Sequence, residues 1–281
     1  MTASKMLAIF LDTLAQPRCI HCQAPLSSAR GPLCVPCHRR LPWWRRVDGC
    51  PRCGTAIMLP TTSNREGERP VFEGCVGCLA EGSALHVCSA LTRYEGPIRK
   101  WIPGFKNSSG PFGPATAIRL AIDHLATTLA LRVAMDSPER PDLIASVPLH
   151  SRRQRNRAFN HVDPIAARIA TTLALPFLPD ALERIRDTSS QAGQIASARR
   201  ESIRGAFRAT TRLGRAQRVW LVDDVLTTGS TLDAAANALL DAGCVEVRAL
   251  TLAATLPACR APRNEATYHA AASRTRSNRG R

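Results

Sequence analysis

Two residue patterns in this 281-residue sequence are suited to chemistry: a fourfold repeat of Cys-x-x-Cys, and two adjacent aspartates followed by a small hydroxylated loop. The cysteine pairs are Cys19/Cys22, Cys34/Cys37, Cys50/Cys53 and Cys75/Cys78, with 11, 12 and 21 residues between successive pairs. Two thiolates at this spacing chelate one soft cation, and eight fill two tetrahedral zinc sites with no position left open for catalysis. A disulfide framework is the alternative, but it needs an oxidising compartment and hence a secretory signal. The N-terminal "MLAIFLDTL" is too short for a membrane span, is interrupted by Asp12 and is followed by no A-x-A-like cleavage site. The expectation is structural zinc in a cytoplasmic protein that begins with an amphipathic helix and has no membrane span. Spacing does not say which pairs share a metal, since sequential, crossed and nested pairings use the same eight residues. Cys88, Cys244 and Cys259 fall outside the repeat and read as small buried apolar residues or surface thiols.

The second pattern is "VWLVDDVLTTGSTL", residues 219 to 232. An apolar run ends in Asp223 and Asp224, and Thr227, Thr228, Gly229, Ser230 and Thr231 lead into a helical stretch. Backbone N–H groups, hydroxyls and a helix N-terminus make a cradle for a phosphate. Two carboxylates cannot bind that phosphate, but they accept hydrogen bonds from vicinal sugar hydroxyls or approach a hydrated Mg²⁺. The ligand these residues describe is a sugar phosphate. Neither GxxxxGK[ST] nor GxGxxG is present, which sets aside a P-loop and a dinucleotide fold.

The elements that must position these groups follow from composition. Residues 17 to 88 hold nine of the eleven cysteines, with many Pro and Gly and little apolar periodicity, so this segment needs metal to fold. Beyond it, strand runs ("CSALTRY", "DLIASVPL", "RVWLV", "VEVRALTLAA") alternate with helical runs ("ATAIRLAIDHLATTLALRVA", "FNHVDPIAARIATTLAL", "STLDAAANALLDAG"). Alternation of this kind predicts an α/β domain with a parallel sheet, whose ligand sits at the carboxyl ends of the strands. The expected organisation is a helix and zinc module over 1–88, the α/β domain over 89–260 and a basic tail over 261–281 that has too few apolar residues to fold.

The formal charge is +16, and only three of the 38 basic residues, Lys5, Lys100 and Lys106, are lysines. Polyanions are natural partners for such a chain, although an arginine excess also follows from genome base composition. "CHRR" (Arg39, Arg40) and "WWRR" (Trp43, Trp44, Arg45, Arg46) mix cations with aromatic faces, which suits single-stranded nucleic acid; the alternative is that the tryptophans dock the module on the second domain.

The segment 219–232 resembles the phosphoribosyl pyrophosphate motif of type I phosphoribosyltransferases, and the whole chain resembles the ComF family of competence protein F-like proteins, a zinc module joined to such a domain. Further segments carry the match: "YEGPIRKWIPGFKNSSG" with Lys106, "SVPLHSRRQRNRAFNHV", and "TSSQAGQIASARRESIRGAF" with Thr188, Gln191, Arg199 and Phe207. Ala158, His161 and Ser202 stand where the family pattern usually has Gly, Gln and Asn. The resemblance implies that the acidic pair holds the ribose hydroxyls and the loop the 5′-phosphate. Arg152, Arg153, Arg155 and Arg157 would meet the pyrophosphate, and a guanidinium fork suits its oxygens.

The implied activity is Mg²⁺-dependent transfer of phosphoribosyl, with pyrophosphate leaving, to an acceptor the sequence does not name. Lys106, Gln191 and Arg199 join the candidate ligand-binding set. The family name implies a second reading, a single-stranded DNA-handling factor working with the DNA-uptake machinery, with a non-catalytic sugar-phosphate pocket. No Ser/His/Asp or Cys/His set competes, and His150 and His161, which flank the arginine loop, read as structural or incidental.

Overall fold

The computed structural model describes residues 17–26, 31–45, 49–50, 52–54, 75, 78, 82–107, 116–137, 139–149, 160–186, 203, 205–210 and 217–255. Outside them lie the expected N-terminal helix and basic tail, Arg46, His150, Arg152, Arg153, Arg155, Arg157, Ala158, Thr188, Gln191, Arg199, Ser202 and Cys259. The chain order is α1 (Val35–Arg39), β1 (Val87–Arg93), α2 (Ile98–Lys106), α3 (Thr116–Asp136), β2 (Leu143–Ser146), α4 (Asp163–Leu173), β3 (Phe177–Leu178), β4 (Leu182–Arg184), β5 (Phe207–Ala209), β6 (Arg218–Leu226), α5 (Ser230–Asp241) and β7 (Glu246–Ala254).

Five strands form one sheet in the order β1-β7-β6-β2-β3, every pairing parallel, while β4 and β5 form a separate antiparallel pair. The predicted parallel α/β fold is thus the observed one. A parallel sheet is covered on both faces, so its strands are largely apolar, and β2 is buried at every position. On one face, Leu91, Ile144, Trp220, Val222 and Leu250 pack against α2, α3 and α4; on the other, Ala90, Ala145, Val219, Leu221 and Val247 pack against α5 and the β4–β5 pair. Pro164 stands in the first turn of α4, where its missing N–H costs nothing.

Strand β6 runs further than its apolar stretch. It continues through the acidic pair to Leu226 because β7 supplies partners, Asp223 opposite Thr251 and Val225 opposite Ala253.

The cysteine-rich segment closes the sheet at its β1 edge. Trp43 bridges Thr92 in antiparallel sense, Trp44 N donates to Leu91 O (2.9 Å) and Arg93 N to Pro42 O (2.6 Å). An open edge is thereby paired rather than left as a template for other chains.

Candidate functional site

Adjacent residues of a strand point to opposite faces, and this separates the two aspartates. Asp224 is 4% exposed and faces α2 and α4: Lys106, the last residue of α2, places Nζ 2.7 Å from its Oδ2, and His161 Nε2 hydrogen-bonds the same oxygen. Asp223 is half-buried and faces the side of Cys88 and Arg184, each of which it touches electrostatically. Burial and then the neighbouring Asp224 carboxylate push Asp223 up to about 7. Burial alone would raise Asp224 too, but the His161 hydrogen bond and the Lys106 charge hold it below the usual carboxylate range. One carboxylate is thus fixed in its charged form by two cations or donors, while the other sits near neutrality, ready to be claimed by a cation or a hydroxyl.

Immediately after β6 the chain turns through Thr227, Thr228 and Gly229 into α5. Gly229 is the N-cap, with φ +75°, and no side chain caps the helix, so its first-turn N–H groups point out at the carboxyl edge of the sheet. Thr228 and Ser230 share a hydroxyl hydrogen bond of 2.9 Å, and Thr227 is exposed while Ser230 is buried. Thr231, half-buried, completes the stretch the sequence marked out.

Lys106, Asp223, Asp224 and residues 227–231 are therefore brought together; Arg152, Arg153, Arg157, Gln191 and Arg199 lie outside the described residues. The base of the arginine loop is nevertheless tied down beside the pair. Asn160 Nδ2 donates to Val147 O (3.1 Å) and to Asp163 Oδ1 (2.7 Å), and Ser146 Oγ donates to the same Asp163 oxygen (2.6 Å). This network joins the end of β2 to the start of α4 and carries His161 between them. His161 is 5% exposed, and its Nδ1 has no partner among the described residues. Sequence reasoning read it as structural or incidental; the structure puts it on Asp224. Its position just before a helix start marked by Asp163 and Pro164, beyond a strand and loop, was the available signal.

The eight cysteines form two clusters, Cys19, Cys22, Cys34 and Cys37, and Cys50, Cys53, Cys75 and Cys78, with the sulfurs of each within 4.8 Å of one another. This settles the pairing as sequential. A Zn–S bond of about 2.3 Å sets the sulfurs of a tetrahedron about 3.8 Å apart. The observed separations are 3.6 Å for Cys22–Cys34, 4.0 Å for Cys50–Cys78 and 3.7 Å for Cys53–Cys75, far beyond a disulfide. Hydrogen bonds from Cys53, Cys75 and Cys78 pull the Cys50 thiol far down, and the contact with Cys50 and its neighbours pushes Cys78 up. Four thiols so placed ionise together only around a cation. Both clusters could hold zinc.

Cys88 and Cys244 are buried, and burial raises their thiols to about 12 and about 11, the inert pair expected from their place outside the repeat. Trp44 is 6% exposed and belongs to the core, and Trp43 is half-buried with its ring 4.9 Å from that of His38. Of the two readings of "WWRR", docking of the module is the one the structure supports for Trp44. Among the described residues no helix is long and apolar enough to cross a membrane.

Comparison with known proteins extends this picture. A family model described as Phosphoribosyl transferase domain matches residues 164–271, a stretch that contains the acidic pair and residues 227–231. Competence protein F of Haemophilus influenzae (strain Rd) is 29% identical over 238 residues, covering 84% of this chain and 96% of that protein. The DNA utilization protein YhgH of Escherichia coli (strain K12) is 29% identical over 241 residues, covering 85% of this chain and 97% of its own. Among solved structures, the adenine phosphoribosyl transferase from Trypanosoma brucei aligns with a TM-score of 0.35 and 14% identity, over 64% of this chain and 90% of that one.

Proposed function

We propose that this competence protein F-like chain, a cysteine-rich module joined to a phosphoribosyl transferase domain, binds phosphoribosyl pyrophosphate with Mg²⁺ and transfers the phosphoribosyl group to an acceptor, while both cysteine clusters hold zinc. The observation that carries the reading is the junction of β6 and α5: an acidic pair on the strand and, directly after it, an uncapped helix N-terminus led by a glycine. The loop 227–231 takes the 5′-phosphate on its N–H groups and hydroxyls. Asp223 accepts from a ribose hydroxyl or meets the hydrated Mg²⁺, and Asp224, held by Lys106 and His161, keeps the Lys106 ammonium aimed at the anionic ligand. The family resemblance assigns Arg152, Arg153 and Arg157 to the pyrophosphate, and Gln191 and Arg199 to the ligand-binding set. When bound, Mg²⁺ neutralises the leaving pyrophosphate. The bond from the anomeric carbon to the acceptor forms as the bond to the pyrophosphate oxygen breaks, so the chain's task is positioning and charge stabilisation, with no nucleophile of its own.

A second reading is favoured by the +16 charge and by the competence and DNA-utilization names of the relatives: single-stranded DNA handling in DNA uptake, with the pocket as a regulatory site. Titration calorimetry of zinc-loaded protein with phosphoribosyl pyrophosphate and Mg²⁺ separates the two. Saturable binding that weakens at least about 50-fold in Asp223→Asn/Asp224→Asn supports the pocket. Absence of binding by the folded wild type removes the transferase reading and leaves the DNA one.

A further inference from the structure

We infer that the second cysteine cluster is the mechanical support of the phosphate loop, so that metal held by Cys50, Cys53, Cys75 and Cys78 sets that loop's affinity for a sugar phosphate, whereas metal in the first cluster does not. The inference rests on the sugar-phosphate reading of the site and adds a coupling between that site and a second one.

The contact is made at two glycines, Gly54 on the side of the module and Gly229 on the side of the domain. Gly54 closes the Cys50–Cys53 turn with φ +69°, its N–H donating to Cys50 O at 2.8 Å. A Cβ placed there would lie 2.5 Å from Leu226 Cδ2 and 2.7 Å from Cys88 Sγ. From the other side, a Cβ on Gly229 would lie 2.9 Å from the Cys53 carbonyl oxygen and 3.6 Å from Cys53 Cβ. Neither glycine has room for one more carbon, so the turn that carries two of the metal ligands is seated directly on the loop 226–229.

A second strap leaves the cluster on its C-terminal side. Ser83 Oγ and Ala84 N both donate to Asp233 Oδ1 at 2.9 Å, and Asp233 lies in the first turn of α5, the helix whose N-terminus forms the cradle. On its far side the loop is fixed to β7, where Thr255 N donates to Leu226 O at 2.9 Å. The loop is thus gripped between β7 and the cysteine turn, and the grip on the cysteine side is only as stiff as the turn. Besides the metal, that turn is held by Gly54 N on Cys50 O and by Cys75 N on Cys50 Sγ (3.2 Å). A cradle of N–H groups binds phosphate well only when ordered beforehand, because ordering it at the moment of binding costs affinity.

The first cluster has other neighbours. His21 stacks edge-on to Trp101 of α2 at 6.3 Å, His38 lies 5.3 Å from His124 of α3, and a Cβ placed on Gly31 would lie 3.6 Å from the His124 ring. Cys53 and Gly54 are therefore positioning residues for the phosphate loop.

Equilibrium coupling is reciprocal, and this supplies a readout independent of any reaction: the factor by which metal strengthens ligand binding is the factor by which ligand strengthens metal retention. Titration with phosphoribosyl pyrophosphate and Mg²⁺ is paired with a zinc competition titration against a coloured chelator. Wild type and Cys19→Ser/Cys22→Ser bind the sugar phosphate equally within about twofold, and Cys75→Ser/Cys78→Ser binds at least about tenfold more weakly. Gly54→Ala, which keeps all eight thiols, weakens binding at least about threefold, and saturating ligand protects one of the two wild-type zinc ions, not both. Should Cys75→Ser/Cys78→Ser not fold, Gly54→Ala and the wild-type competition titration decide. Wild type that binds, together with equal ligand affinity in Gly54→Ala and no protection of zinc, overturns the coupling alone. Wild type that does not bind overturns the pocket and the coupling with it.

Discussion

The two cysteine clusters are chemically the same and structurally unlike. Each is two Cys-x-x-Cys turns closed around four sulfurs, yet the first buries only Cys19 and exposes Cys22, whereas the second exposes none and buries both Cys50 and Cys78. The first leans on helices α2 and α3 through histidine and tryptophan rings. The second leans on the end of β6 through two glycines. A ligand set thus fixes what a knuckle can bind, and its neighbours fix what the binding does.

The largest expected break in that comparison is thermal. Cys50→Ser lowers Tm by about 8 °C or more in differential scanning calorimetry, because it removes a ligand from a cluster that could hold zinc and leaves a buried turn unsupported, and Cys22→Ser costs less than about half as much. Equal losses would mean that the two clusters are interchangeable supports. Next comes the covered sheet edge between the clusters. Trp44→Ala costs about 3–5 kcal/mol in urea unfolding and Trp43→Ala about 1–2 kcal/mol. In folded protein at fixed salt, Trp44→Ala leaves single-stranded DNA affinity unchanged; a loss of about 1–3 kcal/mol in binding would show that the ring stacks on bases after all.

The smallest effect is electrostatic. The second cluster adjoins a carboxylate, since Cys50 and Asp223 both act on Cys88. Asp223 is raised to about 7, so the native state holds its proton where the unfolded chain has released it. The stability this group contributes is full below about pH 4 and is lost as pH rises to about 7. Asp223→Asn, neutral throughout, stabilises the ligand-free protein by on the order of 1–3 kcal/mol at pH 8 and by almost nothing at pH 4, read from Tm against pH.

What the sequence disclosed follows the range of the interactions. Alternating apolar runs and their Gly and Pro boundaries are local, so β1, β2, β6, β7 and helices α3, α4 and α5 were legible, whereas the two- and three-residue strands β3, β4 and β5 are too short to carry a pattern. The cysteine repeat and the segment 219–232 were legible too, because ligands supplied by one turn or one strand–loop–helix carry their spacing with them. Pairing of the cysteine turns, the seat of Gly54 on Leu226 and the His161–Asp224 bond were not, since they join residues far apart in the chain and leave no periodic trace. The opposed facing of Asp223 and Asp224 was within reach: it needs only β6 to extend two residues past its apolar run, and that extension depends on partners from β7.

The covered edge also dictates when the domain can be completed. Among the described residues, strand β1 is the first made and β7 the last, and they lie side by side, Thr92 bonding Leu252 across 160 residues. The sheet therefore cannot close on the ribosome until residues near 254 have emerged, by which time the cysteine-rich segment has long been free of it. During synthesis, the cysteine-rich module together with β1 is available as an edge on which the remaining strands assemble.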